Sequence, residues 1–324
     1  MSDTDQVTVL FSSAGRRVEL INCFREDAAM LGISLRVLAV DMHPEVSAAC
    51  QAADRSWTVP RCTTPDYVGR LLEICREEGV DLLVPTIDTE LAVLSAATDQ
   101  FAKLGTRVAV SGPDVVRMAR DKLATARFLE ANGLPVPRTE SLEHLLKDPG
   151  DWRWPVMLKP VDGSCSIGIH LVQNVADLDR LPDLKGSYIA QEYRRGREYT
   201  VNFFMDQSGQ FRCAVPHERL ETRAGEVSKG VTERHSGLLE MAGKFAAALS
   251  GGRAVMCFQV IMDDEGPWIF ELNARFGGGY PLAHRAGARY SQWLLEEVTG
   301  RAPSYTDEWT NGLKMLRYDA AVFV

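Results

Sequence analysis

Short apolar runs alternate with amphipathic stretches through the first third of the chain. The stretch over residues 12–32 has the apolar spacing of a helix and ends at Gly32. Strands that alternate with helices are typical of βαβ units, which build a parallel sheet. The predicted strands are VTVLF (7–11), LRVLAVD (35–41), VDLLVPT (80–86) and RVAVSGP (107–113).

Polar residues follow each of these predicted strands, in segments 12–17, 86–90 and 111–113 and at Asp41. In a parallel sheet, the functional groups lie beyond the carboxyl ends of the strands. Asp41 has the position of a ribose-binding acid, but the turn after the first strand lacks the GxGxxG spacing. A nucleotide site in this part of the chain therefore stays the weaker alternative.

The pattern changes near residue 115. A helix that starts near Lys122 and stops at Gly133 leads into short strands that pair with their neighbours along the chain. This order predicts an α/β domain over residues 1–115, followed by two α+β regions over 116–190 and 191–324.

The segment VMCFQVIMDDEGPWIFELN (255–273) reads as a β-hairpin. A three-residue loop over 264–266, with its glycine in the left-handed region, would place Gln259 opposite Glu271. Asn273, two residues further on, would share their face. Oxygen ligands at this spacing suit Mg²⁺, although a solvent-facing side of the hairpin would carry the same residue types.

A second polar feature is Lys159, which ends the predicted strand of PVMLKP. The loop DGSCSIG (162–168) follows it and is rich in small residues, whose backbone amides can approach phosphate oxygens closely. The order GxxxxGK[ST] of a P-loop is absent, and a strand rather than a helix comes next. Alone, this loop is equally compatible with a flexible hairpin turn.

Composition narrows the class of protein. The chain has 324 residues and a net charge of −8, which argues against a nucleic-acid partner. Its seven cysteines are scattered and form no CxxC pair, as expected in a reducing cytoplasm. The acidic N-terminus MSDTDQ does not read as a signal peptide, and no apolar run is long enough to predict a membrane span.

These pieces occur in a specific order: Lys122, then Lys159 with its loop, then QEYRRGRE, then Gln259…Glu271-x-Asn273-x-Arg275. In this order the chain resembles the ATP-grasp superfamily, and most of all the short proteins related to the large subunit of carbamoyl-phosphate synthase. SSAGRR near the start and FGGGYPLAHRAGA near the end are similar to the opening and closing segments of that group. The resemblance implies a Rossmann-like pre-ATP-grasp domain followed by two α+β subdomains that clasp a nucleotide.

The resemblance also implies roles for individual residues. Metal ligands would be Glu271, Asn273 and Gln259, and position 259 is a glutamine rather than an acid, which predicts a weaker hold on a second Mg²⁺. Arg275 and Lys159 would stabilise the transferring phosphoryl group. The implied nucleotide-binding residues are Lys122, Lys159, Gly163, Ser164, Ser166, Gly168, Gln191, Glu192, Tyr193, Arg194 and Glu198.

The implied activity is that of an ADP-forming ligase, which activates a carboxylate as an acyl phosphate and joins it to an amine. ATP and Mg²⁺, with Mn²⁺ as a possible substitute, are the expected cofactors, and a homodimer is a possible assembly. Arg223 and Lys229, in a Gly-rich charged stretch, are predicted to reach the substrate, and Arg16 and Arg17 to bind an anionic group. A carbamate- or acyl-phosphate-forming kinase and a non-catalytic ATP-binding protein are the alternatives.

Overall fold

The computed structural model describes residues 5–163, 167–181, 184 and 187–324. The N-terminal part is a parallel sheet, as the alternating pattern predicts, and its strand order is β3-β2-β1-β4-β5, in which the short β3 is not among the predicted strands. Its strands are β1 (Gln6–Ser12), β2 (Ser34–Asp41), β3 (Arg55–Thr58), β4 (Leu82–Pro85) and β5 (Arg107–Val108). The helices between and beside them are α1 (Val18–Leu31), α2 (Ala48–Ala52), α3 (Asp66–Glu78), α4 (Asp88–Ala96) and α5 (Thr98–Ala102).

Two helices, α6 (Pro113–Arg120) and α7 (Lys122–Ala131), lead to the second sheet, in which β6-β9-β7-β8 pair antiparallel. The side chain of Asp121 caps α7 by accepting hydrogen bonds from two backbone amides of its first turn, which fixes the helix start beside Lys122. The elements of this part are β6 (Thr139–Ser141), α8 (Leu142–Lys147), β7 (Val156–Pro160), β8 (His170–Val172) and β9 (Tyr188–Glu192).

The third sheet has the order β14-β13-β10-β11-β12-β15 and pairs antiparallel. The chain enters it from the second sheet through residues 193–196, so the stretch YIAQEYRRGREYT belongs to two strands of different sheets. The strands are β10 (Arg197–Met205), β11 (Phe211–Arg223), β12 (Glu226–Thr232), β13 (Ala254–Asp263), β14 (Gly266–Asn273) and β15 (Lys314–Leu316). The helices are α9 (Ser236–Ala248), α10 (Tyr280–Ala286) and α11 (Tyr290–Thr299).

The proposed domain limits divide two of these elements. Residue 115 lies inside α6, and residue 190 lies inside β9, whose last residues still pair with β7. The limits at 115 and 190 therefore stay a prediction. The ends of α6 and β9 lie a few residues to either side of them.

The β13–β14 hairpin forms, but its predicted turn is wrong. Asp263 pairs with Gly266, so the loop has two residues rather than three. A β-bulge then inserts Phe270 as an extra residue, because Val260 pairs with Ile269 while Gln259 pairs with Glu271. The bulge restores the predicted Gln259–Glu271 pair, because its extra residue compensates for a loop that is one residue shorter than predicted.

The N-terminal sheet packs closely against the rest of the molecule. One apolar core joins Phe24 of α1 to Phe276, Tyr280 and Trp293 near the C-terminal helices. Within it, the fully buried carboxylate of Asp27 accepts hydrogen bonds from Ser291 Oγ at 2.5 Å, from His284 and from Arg289. His284 Nε2 lies 3.0 Å from Asp27 Oδ1. These contacts join α1 of the N-terminal part to the C-terminal helices α10 and α11.

Among the described residues, no helix has both the length and the apolar character needed to cross a lipid bilayer.

Candidate active site

A cleft of about 1000 Å³ opens where the three sheets meet. Its walls come from the turns after β1 and β4, the end of β7, the link 193–196, and the paired strands β13 and β14. Polar side chains that are far apart in sequence therefore face one space, which is the arrangement expected of a binding site between subdomains.

Two lysines lie in this cleft. Lys159, at the end of β7, donates from Nζ to Gln191 Oε1 at 2.8 Å and lies 4.9 Å from the centre of the Phe270 ring. Burial lowers the pKa of Lys159 to about 8, with Glu271 acting in the opposite direction. Lys122 Nζ donates to the carbonyl oxygen of Gly163 at 2.5 Å, and burial lowers its pKa too.

The hairpin places its polar residues on the floor of the cleft. Glu271 and Asn273 both line it, and Arg275 Nη2 donates to Asn273 Oδ1 at 3.0 Å. Arg275 also forms an ion pair with Asp88, at the start of α4, over 2.7 Å. Burial opposes the charge of Arg275, but the ion pair with Asp88 and the nearby Glu271 act together against it, so the pKa of Arg275 is raised and the guanidinium stays charged.

Gln259 meets a cation that the sequence did not single out. Arg219 Nη1 donates to Gln259 Oε1 at 2.6 Å, and Arg219 also lies 3.6 Å from Glu198. Its side chain is only 7% exposed, it lines the cleft, and its Nε has no hydrogen-bond partner among the described residues. A guanidinium at the cleft wall can contact an anionic ligand through the donors that face the cleft.

Arg223 and Lys229 lie elsewhere. Arg223 forms an ion pair with Asp319, and Lys229 one with Glu221 at 2.7 Å, with both cations largely exposed. Neither belongs to the cleft lining that the structure describes. The contact of Arg223 and Lys229 with the substrate stays a prediction, and Arg219 is the cation of β11 that lines the cleft.

The link between β9 and β10 follows one edge of the cleft. Glu192, Tyr193, Arg194 and Glu198 all line it. The guanidinium of Arg194 stacks 3.9 Å from the Trp268 ring and pairs with Glu265 at 2.6 Å, so the Arg194 side chain holds the link in place.

The loop after β7 is described only in part. Gly163 lines the cleft, and Gly168 has a φ of 73°, in the left-handed region that favours glycine. Ser164 and Ser166 of the predicted nucleotide-binding set, and Cys165 between them, lie outside the described residues.

The N-terminal strand ends contribute the opposite wall. Asp41 accepts a hydrogen bond from Gly15 N at 2.9 Å, which ties down the turn after β1, and Asp41 is not among the described residues that line the cleft. Buried Glu90 accepts from Thr86 N at 2.9 Å and from Ser13 Oγ at 3.0 Å, joining the turns after β1 and β4. These contacts position Arg17 and Asp88 at the cleft.

Comparison with known proteins identifies the parts of the chain. Residues 119–279 match the family described as the ATP-grasp domain, and residues 9–109 match the PylC-like N-terminal domain. The chain contains an ATP-grasp domain behind a PylC-like N-terminal domain. The predicted fold class, of a Rossmann-like domain before an ATP-grasp domain, is confirmed.

Relatives and solved structures agree with this ATP-grasp assignment. The chain is 26% identical to a probable alpha-L-glutamate ligase of Pectobacterium carotovorum over 65% of its own length and 72% of the relative's. Its fold is similar to the biotin carboxylase domain of Hydrogenobacter thermophilus 2-oxoglutarate carboxylase, with 16% identity and a TM-score of 0.74 over 94% and 72% of the two chains. It is also similar to L-amino acid ligase of Bacillus licheniformis, with 16% identity and a TM-score of 0.70 over 92% and 75%.

The ATP-grasp cleft fits a nucleotide with a divalent cation. Glu271 offers carboxylate oxygens and Asn273 an amide oxygen, a donor set that suits Mg²⁺ when phosphate oxygens complete the shell. Within the described residues, no group of three His, Cys, Asp or Glu side chains could hold a metal ion by itself. Gln259 Oε1 already accepts from Arg219, and Asn273 Oδ1 accepts from Arg275, so a bound cation would depend chiefly on the carboxylate oxygens of Glu271.

Proposed function

We propose that the protein is an ADP-forming ligase that activates a small carboxylic acid with ATP and joins it to an amine. The observation that carries this proposal is the convergence of Lys159, Lys122, Arg275 and Glu271 on one cleft at the meeting point of three sheets. Phosphoryl transfer depends on positioning and on neutralising charge, and these residues provide both.

In the first step, an oxygen of the substrate carboxylate attacks the γ-phosphorus of ATP. The bond from that phosphorus to the β–γ bridging oxygen breaks, ADP leaves, and an acyl phosphate forms. In the second step, the amine nitrogen attacks the acyl carbon, the carbon–oxygen bond to phosphate breaks, and the nitrogen loses a proton. The products are an amide, ADP and phosphate.

Different residues of the cleft would stabilise the charges that develop in these two steps. Lys159 and Lys122 place positive charge beside the phosphates, and Arg219 adds a third cation on the side of Gln259. Arg275 faces the point where charge develops in both steps, held there by Asp88. A Mg²⁺ bound by Glu271 and Asn273 would neutralise phosphate oxygens during the transfer.

Narrower expectations belong to the same proposal. The hard oxygen donors of the site would also accept Mn²⁺ in place of Mg²⁺. The net charge of −8 supports small molecules rather than nucleic acid as partners. The scattered cysteines support a cytoplasmic setting, and a homodimer is the assembly that we expect.

The test is to measure ADP and phosphate release with a panel of acids, each with and without a panel of amines. A ligase releases ADP at an appreciable rate only when both substrates are present. ADP release that depends on the acid alone would instead indicate an acyl-phosphate-forming kinase. Nucleotide binding without ADP release for any pair would leave a binding protein, and Arg275→Gln is the variant that should abolish any release observed.

A further inference from the structure

Three arginines from distant parts of the chain surround one carboxylate at the N-terminal wall of the cleft. Arg16 Nη2 and Arg17 Nη2 lie 3.4 Å and 3.2 Å from the Glu226 carboxylate, and Arg317 Nη1 lies 3.3 Å from it. We call this group the arginine corner. Glu226 begins β12, directly after a turn in which Ala224 and Gly225 have positive φ.

The charges of the arginine corner do not balance. Three guanidinium groups face one carboxylate, which leaves two positive charges in excess in a protein whose net charge is −8. The nearby Arg275 does not draw on Glu226 for its partner, because it pairs with Asp88. Unbalanced cations at a partly buried site cost stability unless an anion binds there.

Of the two N-terminal arginines, Arg17 is the more buried, so its charge is less well compensated by water. Its side chain is 17% exposed, whereas that of Arg16 is 66% exposed. Burial lowers the pKa of Arg17, and Glu226 acts against that effect. A guanidinium that is largely removed from water and shares its one carboxylate with two other arginines can accept a second carboxylate in bidentate geometry.

The backbone around Glu226 is shaped to its carboxylate. A Cβ atom added at Gly278 would lie 2.5 Å from the carboxyl carbon of Glu226, so position 278 leaves room for that group and for no side chain of its own. Arg317 also donates to the carbonyl oxygen of Gly278. The corner is thus a built carboxylate site, and Glu226 fills it in the free protein.

The corner adjoins the reaction site. Arg16, Arg17 and Glu226 line the same cleft as Arg275, Glu271 and Asn273. The charge of Arg275 acts on both Arg17 and Glu226. A substrate whose reacting group lies at Arg275 could therefore extend a second group into the corner.

We propose that the arginine corner binds a carboxylate of the substrate that the reaction does not consume, and that Glu226 is the internal carboxylate which this group displaces or joins. The substrate is then a dicarboxylic acid, free or as an amino acid, rather than a simple monoacid. This inference rests on the proposed ligase function, since it assigns one of two substrate carboxylates to activation at Arg275.

The experiment measures binding without turnover. The full-length protein, saturated with Mg²⁺ and a non-hydrolysable ATP analogue, is titrated calorimetrically with straight-chain diacids from malonate to adipate and with the monoamide of each. Inorganic phosphate is titrated as a separate arm, because a phosphate group could use the same arginines. We expect at least one diacid to bind tenfold or more tightly than its monoamide, and phosphate to bind more weakly than that diacid.

Variants test whether the preference for diacids over monoamides depends on the arginine corner. Arg17→Gln should reduce the ratio of diacid affinity to monoamide affinity to between 1 and about 2. Arg317→Gln changes an arginine in a distant part of the chain and should also reduce this ratio. Glu226→Gln, which removes the competing carboxylate and keeps its shape, should increase diacid affinity at least threefold. Arg301→Gln is the matched control, because Arg301 pairs with Asp5 outside the cleft, and it should keep the wild-type ratio.

The proposal is overturned if every diacid binds no better than its monoamide, if Arg17→Gln and Arg317→Gln both keep the preference, or if phosphate is the tighter ligand. A loss of thermal stability in Arg17→Gln with an unchanged preference would mean that the corner only joins the domains. The proposed ligase function is tested by a separate measurement, which is the release of ADP. A protein that keeps the diacid preference but releases no ADP with any acid and amine binds the substrate without being the ligase.

Discussion

Raising the pH from 7 to 9 should weaken binding of the ATP analogue, because Lys159 loses its charge over that range. Burial lowers the pKa of Lys159 to about 8 in the free protein. A group with that pKa is about nine-tenths protonated at pH 7 and about one-tenth protonated at pH 9. Since phosphate oxygens favour the protonated amine, affinity should be greatest below pH 8 and fall by about tenfold by pH 9.

Calorimetric titration with the Mg²⁺ complex of the analogue, at fixed ionic strength, gives this pH profile directly. Titration at pH 8.5 in buffers of different ionisation enthalpy also gives the protons taken up, which should be about 0.8 for each nucleotide bound. Lys159→Arg is the control, because a guanidinium stays charged throughout, and its profile should flatten to within about threefold. Equal wild-type affinity at pH 7 and pH 9, or binding at pH 8.5 without proton uptake, would refute the assignment of Lys159 to the phosphates.

Three further changes test other parts of the structure. Glu271→Gln should lower Mg²⁺-dependent turnover by about 100-fold while ADP binding without metal stays within about threefold, and a normal metal dependence would remove Glu271 from the metal site. Arg219→Gln should weaken binding of the ATP analogue by about tenfold, which is the effect of one charge-assisted hydrogen bond. Arg223→Gln, at an exposed position, should leave the affinity within about twofold of the wild type. The reverse result would favour Arg223 over Arg219 as the cation that contacts the ligand. Asp27→Ala should lower the free energy of unfolding in urea by about 3 kcal/mol, because it leaves His284 buried without its partner, and a loss below about 1 kcal/mol would contradict that role.

The N-terminal sheet could be predicted from the sequence because its signal is local. Four of its five strands overlap the predicted apolar runs, whereas the short β3 (RSWT) has no such run. The helices α1 and α3 each stop at a glycine, Gly32 and Gly79, with φ of 67° and 62°. The order of motifs in the second half was equally informative. Lys122, Lys159 and Glu271 were assigned to one site by resemblance, and the structure brings all three to one cleft.

Arg219 could not be found in the same way, because the alternation of side chains along β11 is broken. In a regular strand, residues 219, 221 and 223 would share one face. The pairing of β11 with β12 shifts register between Arg219 and Glu221 and again between Glu221 and Thr222. Arg219 consequently lines the cleft while Arg223 reaches Asp319 on the outside. A prediction based on regular alternation has no information about where such shifts fall.

The bulge at Phe270 has a functional consequence as well as a structural one. Successive residues of a regular strand point to opposite faces, so a strand could present either Phe270 or Glu271 to the cleft, but not both. The extra residue in β14 lets both line it. Lys159 then meets an aromatic ring 4.9 Å away, which helps to exclude water, and a carboxylate that acts to restore its charge. The irregularity of β14 thus places both Phe270 and Glu271, the proposed metal ligand, at the cleft beside Lys159.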